Sequence, residues 1–264
     1  MDICLPTYLH KDTAVKAMRK GFNVLSEKPM ALNYEECQEM CRVSKETGKK
    51  LMIAYCSRFL GATMIMKEYI DNGELGKPYS AEFHRLGGSL GPMGYNNWFR
   101  DEKLSGGAML DLHIHDVDAI HNLFGMPKAV SAVAMNRIPG AGYDAMSVNY
   151  IYDDLFVNAQ CDWTVVGNKF DSRSFRINFE KGYLFVDRTA DRTAFVKVDS
   201  EGNVEDLWEK VDSNMYYNEI TYYIDCLVNN KPVEYCLPED SAESVRIVQA
   251  EMKSADLKGE KVEL

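Results

Sequence analysis

The chain has 264 residues, a formal net charge of −10, 46% hydrophobic and 11% aromatic residues, enough apolar material for one large core or two moderate ones. The acidic balance and the lack of any Lys/Arg stripe argue against a nucleic-acid partner, and no apolar run approaches the roughly 20 residues that a bilayer span needs. With an N-terminus that lacks the charged-then-apolar order of a signal peptide, a cytoplasmic globular protein is expected. Seven cysteines at irregular spacings, with no CxxC, argue against a disulfide framework or a zinc knuckle and are expected to be buried thiols.

Residues 1–55 alternate between two kinds of segment. Ile3-Cys4-Leu5 forms a short apolar run ended by Pro6, and a helix is expected over 11–20 with Gly21 as its C-terminal cap. Phe22 to Leu25 makes a second strand, closed by Glu27-Lys28-Pro29. Asn33 caps the next helix, Glu36 returns the hydrogen bond, and Gly48 stops it. Lys50 to Tyr55 supplies a third strand. Short connections in a strand-helix-strand-helix-strand order predict a parallel sheet.

After Arg58 the pattern changes. Helices are expected near 63–72 and over 106–124, but most of 79–212 is strand-like, with hairpin turns at Asp153-Asp154, Glu180-Lys181-Gly182 and Ser200 to Asn203. Closing helices near 213–229 and 238–255 would cover one face of an antiparallel sheet. The fold class is thus α/β plus α+β. A Rossmann-like parallel half-sheet in 1–57 is followed by a mainly antiparallel substrate and oligomerisation domain in 58–264, and ligand sites favour such junctions. A parallel dinucleotide sheet normally opens on G-x-G-x-x-G, which is absent from these residues. The Gly87 to Gly94 run has the wrong spacing and reads as a loop.

On the helix from Gly106, Asp111, Asp118 and Asn122 share an arc with His115, beside an apolar face of Leu110, Ile114, Val117 and Phe124. Asp111, one turn before His115, could orient the imidazole and favour its protonated form. A merely satisfied Asp/His pair is the alternative, and a metal shared by the two has no third ligand at a recognisable spacing. Lys28 sits at the carboxyl end of a parallel strand, where open sheets bind ligands, and Pro29 fixes the turn that aims it. Asn97, Trp98 and Arg100 could line a substrate pocket or serve the surface or core. His84 and His121 are expected to be structural.

PTYLH, NVLSEKPMA, SRF and SGGAMLDLHIHDVDAIHNLFG, in that order, resemble successive landmarks of the glucose-fructose oxidoreductase / inositol dehydrogenase (Gfo/Idh/MocA) family. The resemblance spans essentially the whole chain. It implies a first half of the cofactor domain ahead of residue 1, missing through a shortened frame or through real loss. It also implies hydride transfer between NAD or NADP and a secondary alcohol of a sugar, cyclitol or related polyol. Lys28, Asp111 and His115 would then be catalytic, and His10, Glu27, Lys28 and Pro29 would lie on the cofactor side. His113 stands where glycine is common in the family, and Thr7 where asparagine is. Without the glycine-rich turn, weak or absent nicotinamide binding is expected. The competing expectation is a non-catalytic or split-enzyme subunit serving oligomer assembly; a hydrolase or lyase working through transient oxidation is a third. A homo-oligomer, dimer or tetramer, is expected, with the exposed edge at Ile3 to Leu5 covered.

Overall fold

The computed structural model describes residues 1–88, 94–166, 172–189, 193–211 and 214–264. Three short strands, β1 (Asp2–Ile3), β2 (Val24–Glu27) and β3 (Leu51–Ala54), form a parallel sheet in the order β1-β2-β3. They are linked by α1 (His10–Arg19) and α2 (Tyr34–Thr47). The side chain of Asn33 accepts from the Glu36 backbone N–H at 2.9 Å, and Gly48 closes α2 in the left-handed region. Such a cap is worth about 1 kcal/mol. The expected first strand is shorter than its apolar run, because Cys4 and Leu5 already belong to the turn that leads towards α1.

A turn over Cys56–Phe59 leads into α3 (Gly61–Asn72) and then β4 (Pro78–Leu86). The later strands are β5 (Ala129–Met135), β6 (Ala145–Ile151), β7 (Phe156–Asp162), β8 (Ser172–Phe179), β9 (Gly182–Arg188), β10 (Thr193–Asp199), β11 (Val204–Asp206) and β12 (Val262–Glu263). With β4 they make a nine-stranded sheet in the order β11-β10-β9-β8-β4-β7-β6-β5-β12. The expected turns close the β6–β7, β8–β9 and β10–β11 hairpins. One departure from antiparallel pairing stands at the centre, where β4 runs parallel to β7. Of the Gly87 to Gly94 loop, residues 89–93 lie outside the described residues.

The helix expected over 106–124 is broken into parts. A short α4 (Glu102–Ser105) ends at Gly106, a π-helical turn runs over Met109–His113, and α5 (Ile114–Phe124) follows. Sterics explain the paired glycines at this corner. Both have positive φ, and a Cβ on Gly107 would come within 2.3 Å of the Ala141 carbonyl oxygen, which no side chain tolerates.

The closing helices are α6 (Met215–Val228) and α7 (Pro238–Asp256). Helix α7 packs on α2, α5 and β5, whereas α6 lies against the 56–59 turn rather than the large sheet. Tyr223 of α6 donates to the Lys50 carbonyl at 3.0 Å, and Tyr34 at the start of α2 donates to Glu243 of α7 at 2.8 Å. The last helices therefore complete the first layer, and one continuous apolar core runs from Ile3 to Val262. Six of the seven cysteines are buried free thiols, and Cys4 is exposed. Among the described residues no helix is long and apolar enough to cross a membrane.

Candidate active site

The carboxyl ends of β1 and β2 face the π-helical turn across a crevice lined by Leu5, Thr7, Glu27, Lys28, Trp98, Phe99 and Asp111. Lys28 reaches over it. Its Nζ donates to the Asp111 carbonyl oxygen at 2.6 Å and to Asp111 Oδ1 at 3.1 Å. An ammonium carries three donors, so one remains for a molecule in the crevice.

The expected Asp111–His115 pair is not formed. A π turn inserts an extra residue relative to α-helical spacing, so the count of 100° per residue that put Asp111 over His115 fails across Met109–His113. Asp111 serves Lys28 instead. His115 Nδ1 lies 3.2 Å from Ser57 Oγ, contributed by the 56–59 turn, and among the described residues Nε2 has no hydrogen-bond partner. The electrostatics also run opposite to the expectation. Burial first, then the nearby cations Lys28, Arg85 and Arg173, push the imidazole well below the ordinary histidine range, so His115 is neutral at neutral pH.

His10 is a second correction. Its ring is 1% exposed, with Nδ1 2.8 Å from the Pro29 carbonyl and Nε2 2.7 Å from that of Leu5. The ring ties the turn after β1 to the turn after β2, beneath the crevice, and offers no nitrogen to a ligand. Pro29, which follows a cis peptide bond, is buried. Glu27 lines the crevice, and burial raises its carboxyl above the usual range against the opposing pull of Lys28.

The three pocket candidates separate. Trp98 lines the crevice, stacked on Phe99 with ring centroids 3.9 Å apart. Asn97 is exposed and in the left-handed region. Arg100 is buried, its guanidinium 4.6 Å from the centre of the Trp163 ring, a packing position. Asp118, expected to line the cleft, is wholly buried and accepts from Arg58 at 2.8 and 2.7 Å. His113 is buried too, 3.2 Å from Glu251. Among the described residues, no group of three or more His, Cys, Asp or Glu side chains is placed to hold a metal.

The sequence reading missed Ser57, Arg85 and Arg173. Ser57 lies inside the quoted SRF run, and the two arginines fall on the inward-facing positions of β4 and β8, so strand alternation was their available signal.

A parallel βα layer set against a mixed nine-stranded sheet defines a Rossmann-like layer joined to a second, mainly antiparallel sheet. Comparison with known proteins particularises this class. A model described as the GFO/IDH/MocA C-terminal domain matches residues 63–185, and one described as an oxidoreductase family with an NAD-binding Rossmann fold matches residues 1–55. The chain belongs to the Gfo/Idh/MocA family. A 2,7-anhydro-N-acetylneuraminate hydratase of Mediterraneibacter gnavus is 32% identical over 159 residues, 60% of this chain and 41% of the relative. The match thus spans less than half of that relative's length. The D-glucoside 3-dehydrogenase of Escherichia coli is 27% identical across 100% of this chain and 79% of its own. The crystal structure of an aldose-aldose oxidoreductase from Caulobacter crescentus, complexed with glycerol, superposes with a TM-score of 0.85 at 22% identity. That match covers 100% of this chain and 78% of the other, and it shows a shared fold.

Proposed function

We propose that the chain carries the substrate site of an oxidoreductase that moves a hydride between a nicotinamide cofactor and a secondary alcohol of a sugar, cyclitol or related polyol. The observation that carries this reading is a partly exposed lysine, held over the crevice by Asp111, whose charge lies near enough to the buried His115 to help keep that imidazole neutral. The D-glucoside 3-dehydrogenase among the relatives supports it. The hydratase among them favours, as a second reading, a lyase that oxidises its substrate transiently at the same residues.

The crevice fits the nicotinamide end of such a cofactor. Leu5, Thr7, Glu27 and Trp98 would hold it there, while these residues supply no glycine-rich turn for the pyrophosphate. When bound, it would supply the hydride acceptor. In the oxidative direction His115 Nε2 takes the hydroxyl proton. The tautomer that leaves Nε2 unprotonated places the hydrogen on Nδ1, which donates to Ser57 Oγ. The third Lys28 N–H faces the alcohol oxygen as negative charge develops, and Asp111 fixes the ammonium in that pose. Because the base is already neutral, oxidation should stay fast as the pH falls through 6.5, where an ordinary histidine would be half protonated.

The outer face of the large sheet exposes Val133, Met135, Ile151 and Phe156, which supports self-association through that face. The test of the reaction is direct. Lys28→Ala and His115→Ala should each lower kcat by roughly a hundredfold or more, the usual scale for a positioned acid–base group, with the melting temperature nearly unchanged. Near-wild-type turnover in both would end this reading.

A further inference from the structure

The far side of the π turn faces the core and carries a polar group there. His113, the last residue of the turn, is buried between β6 and α7. Tyr150 Oη of β6 lies 3.3 Å from its Nε2, and Glu251 Oε2 of α7 lies 3.2 Å from the same nitrogen. Tyr150 and Glu251 are buried too. Burial first, then Glu251, push the Tyr150 phenol well above its usual range, so the hydroxyl keeps its proton and remains a donor. Among the described residues, His113 Nδ1 and both Glu251 oxygens make no hydrogen bond.

Stability does not account for this trio. Sealing polar groups with bonds left unmade is unfavourable, and apolar side chains of similar volume fill such places without loss. Met146, Val148 and Val248 do so on the same strand and helix. What the trio supplies is a fixed position for one ring, gripped from a strand of the large sheet and from a helix of the other layer.

That ring belongs to a stretch that needs fixing. A π turn is rare within helices and occurs mostly at functional sites. Here the Ile114 N–H reaches back to the Met109 carbonyl, one residue further than the α-helical ladder. The insertion puts nearby carbonyls out of step with that ladder, and one of them, that of Asp111, accepts from Lys28 Nζ at 2.6 Å. Relaxed to α-helix, the turn would present that carbonyl to the His115 N–H and rotate the Asp111 carboxylate by about 100°. Gly107, against the Ala141 carbonyl, sets the approach to the turn. His113 sets its end.

We propose that His113, Glu251 and Tyr150 are positioning residues: they lock the π turn, and the turn holds Asp111 beneath Lys28. The consequence for hydride transfer rests on the oxidoreductase reading, whereas the lock and the pose of Lys28 stand on the geometry alone.

The test is trace acylation of the full chain with acetic anhydride at one fixed pH, read lysine by lysine in peptide mass spectra. Only a free amine reacts, so the bonds to Asp111 protect Lys28. Exposed Lys16 and Lys20 on and beside α1 serve as internal standards. Glu251→Gln and Tyr150→Phe, which keep volume, should each raise the labelling of Lys28 roughly threefold or more and leave the standards unchanged. Asp111→Asn should raise it directly, and because the lock acts through Asp111, Glu251→Gln with Asp111→Asn should fall short of the product of the two single effects. Tyr150→Phe removes one hydroxyl and remains informative if Glu251→Gln fails to fold. Wild-type labelling of Lys28 in either folded variant, a rise shared by Lys16 and Lys20, or a double variant that reaches the full product overturns the proposal. Raised labelling with unaltered turnover in Lys28→Ala would keep the lock and remove the reaction reading.

Discussion

Asp111 and Asp118 sit seven residues apart on one helical segment, each facing a basic side chain from the first sixty residues, yet they do different work. Asp118 is fully buried. It receives two hydrogen bonds from Arg58, which is 3% exposed, and a third from Ser244 Oγ at 3.1 Å. Asp111 is partly open, and its carboxylate gives one oxygen to Lys28 at 3.1 Å. A third carboxylate, Glu219 on α6, is buried with Oε1 unpartnered among the described residues, and its charged neighbours are the acids Glu27 and Asp2. The three show how solvent access decides the use of a charge. A sealed, fully paired one pins layers together, a half-open one stays free to meet a ligand, and a sealed one without a partner gives up its charge.

The largest effect tests the pin. Asp118→Ala should destabilise the fold by roughly 3–5 kcal/mol, because buried Arg58 would lose both close hydrogen bonds and keep only the Asp240 carboxylate, 3.8 Å away, and urea unfolding measures it. Replacing both partners, Arg58→Met with Asp118→Leu, should recover most of that loss. A cost near zero for the single variant would break the distinction between the two aspartates.

A smaller effect is expected at the open pair. Asp111→Asn should cost under about 1 kcal/mol of stability. It should lower kcat roughly tenfold, since Lys28 keeps the backbone carbonyl but loses a charge-assisted bond. A stability loss as large as that of Asp118→Ala would show the pair to be architectural.

Glu219 gives an effect that depends on pH, with a definite sign. Burial, then the nearby acids Glu27 and Asp2, push its carboxyl from 4.5 up to about 8. A group whose pKa is raised on folding contributes stability that is whole below pH 4.5 and is lost as the pH climbs to about 8. Glu219→Gln should therefore melt higher than the wild type at pH 9 and show no such gain at pH 4. Parallel melting curves at both values would mean that the carboxyl ionises freely.

Local chemistry made much of the fold legible. Asn33 and Gly48 bracket α2 as their types require, and the Gly- and Asp-containing turns mark the hairpins of the large sheet. What escaped was non-local. The central place of β4 depends on pairing with β7 and β8, 76 to 101 residues away, which no periodicity encodes. The Arg58 partner of Asp118 and the Glu251 neighbour of His113 are hidden for the same reason. Around the crevice, the expected pairing of Asp111 with His115 was misread where an α-helical count was carried through a π turn, and the structure gives Asp111 to Lys28 and His115 to Ser57 instead. His10 was misplaced because a histidine before a helix does not declare whether its ring faces in or out.

The return of α6 and α7 to the first layer has a consequence for how the protein is made. Tyr34 at the start of α2 is held by its backbone N–H to Gln249 at 2.9 Å and by its hydroxyl to Glu243, and the Arg58 carbonyl is capped by Tyr235. On the ribosome, residues 34–58 emerge long before these partners exist. The back of α2 and the 56–59 turn, which carries Ser57 towards His115, must wait in the open while the whole large sheet is synthesised. Contacts of such long sequence separation are won late and slowly. The turn that carries Ser57 thus leaves the exit tunnel well before the residues that settle it.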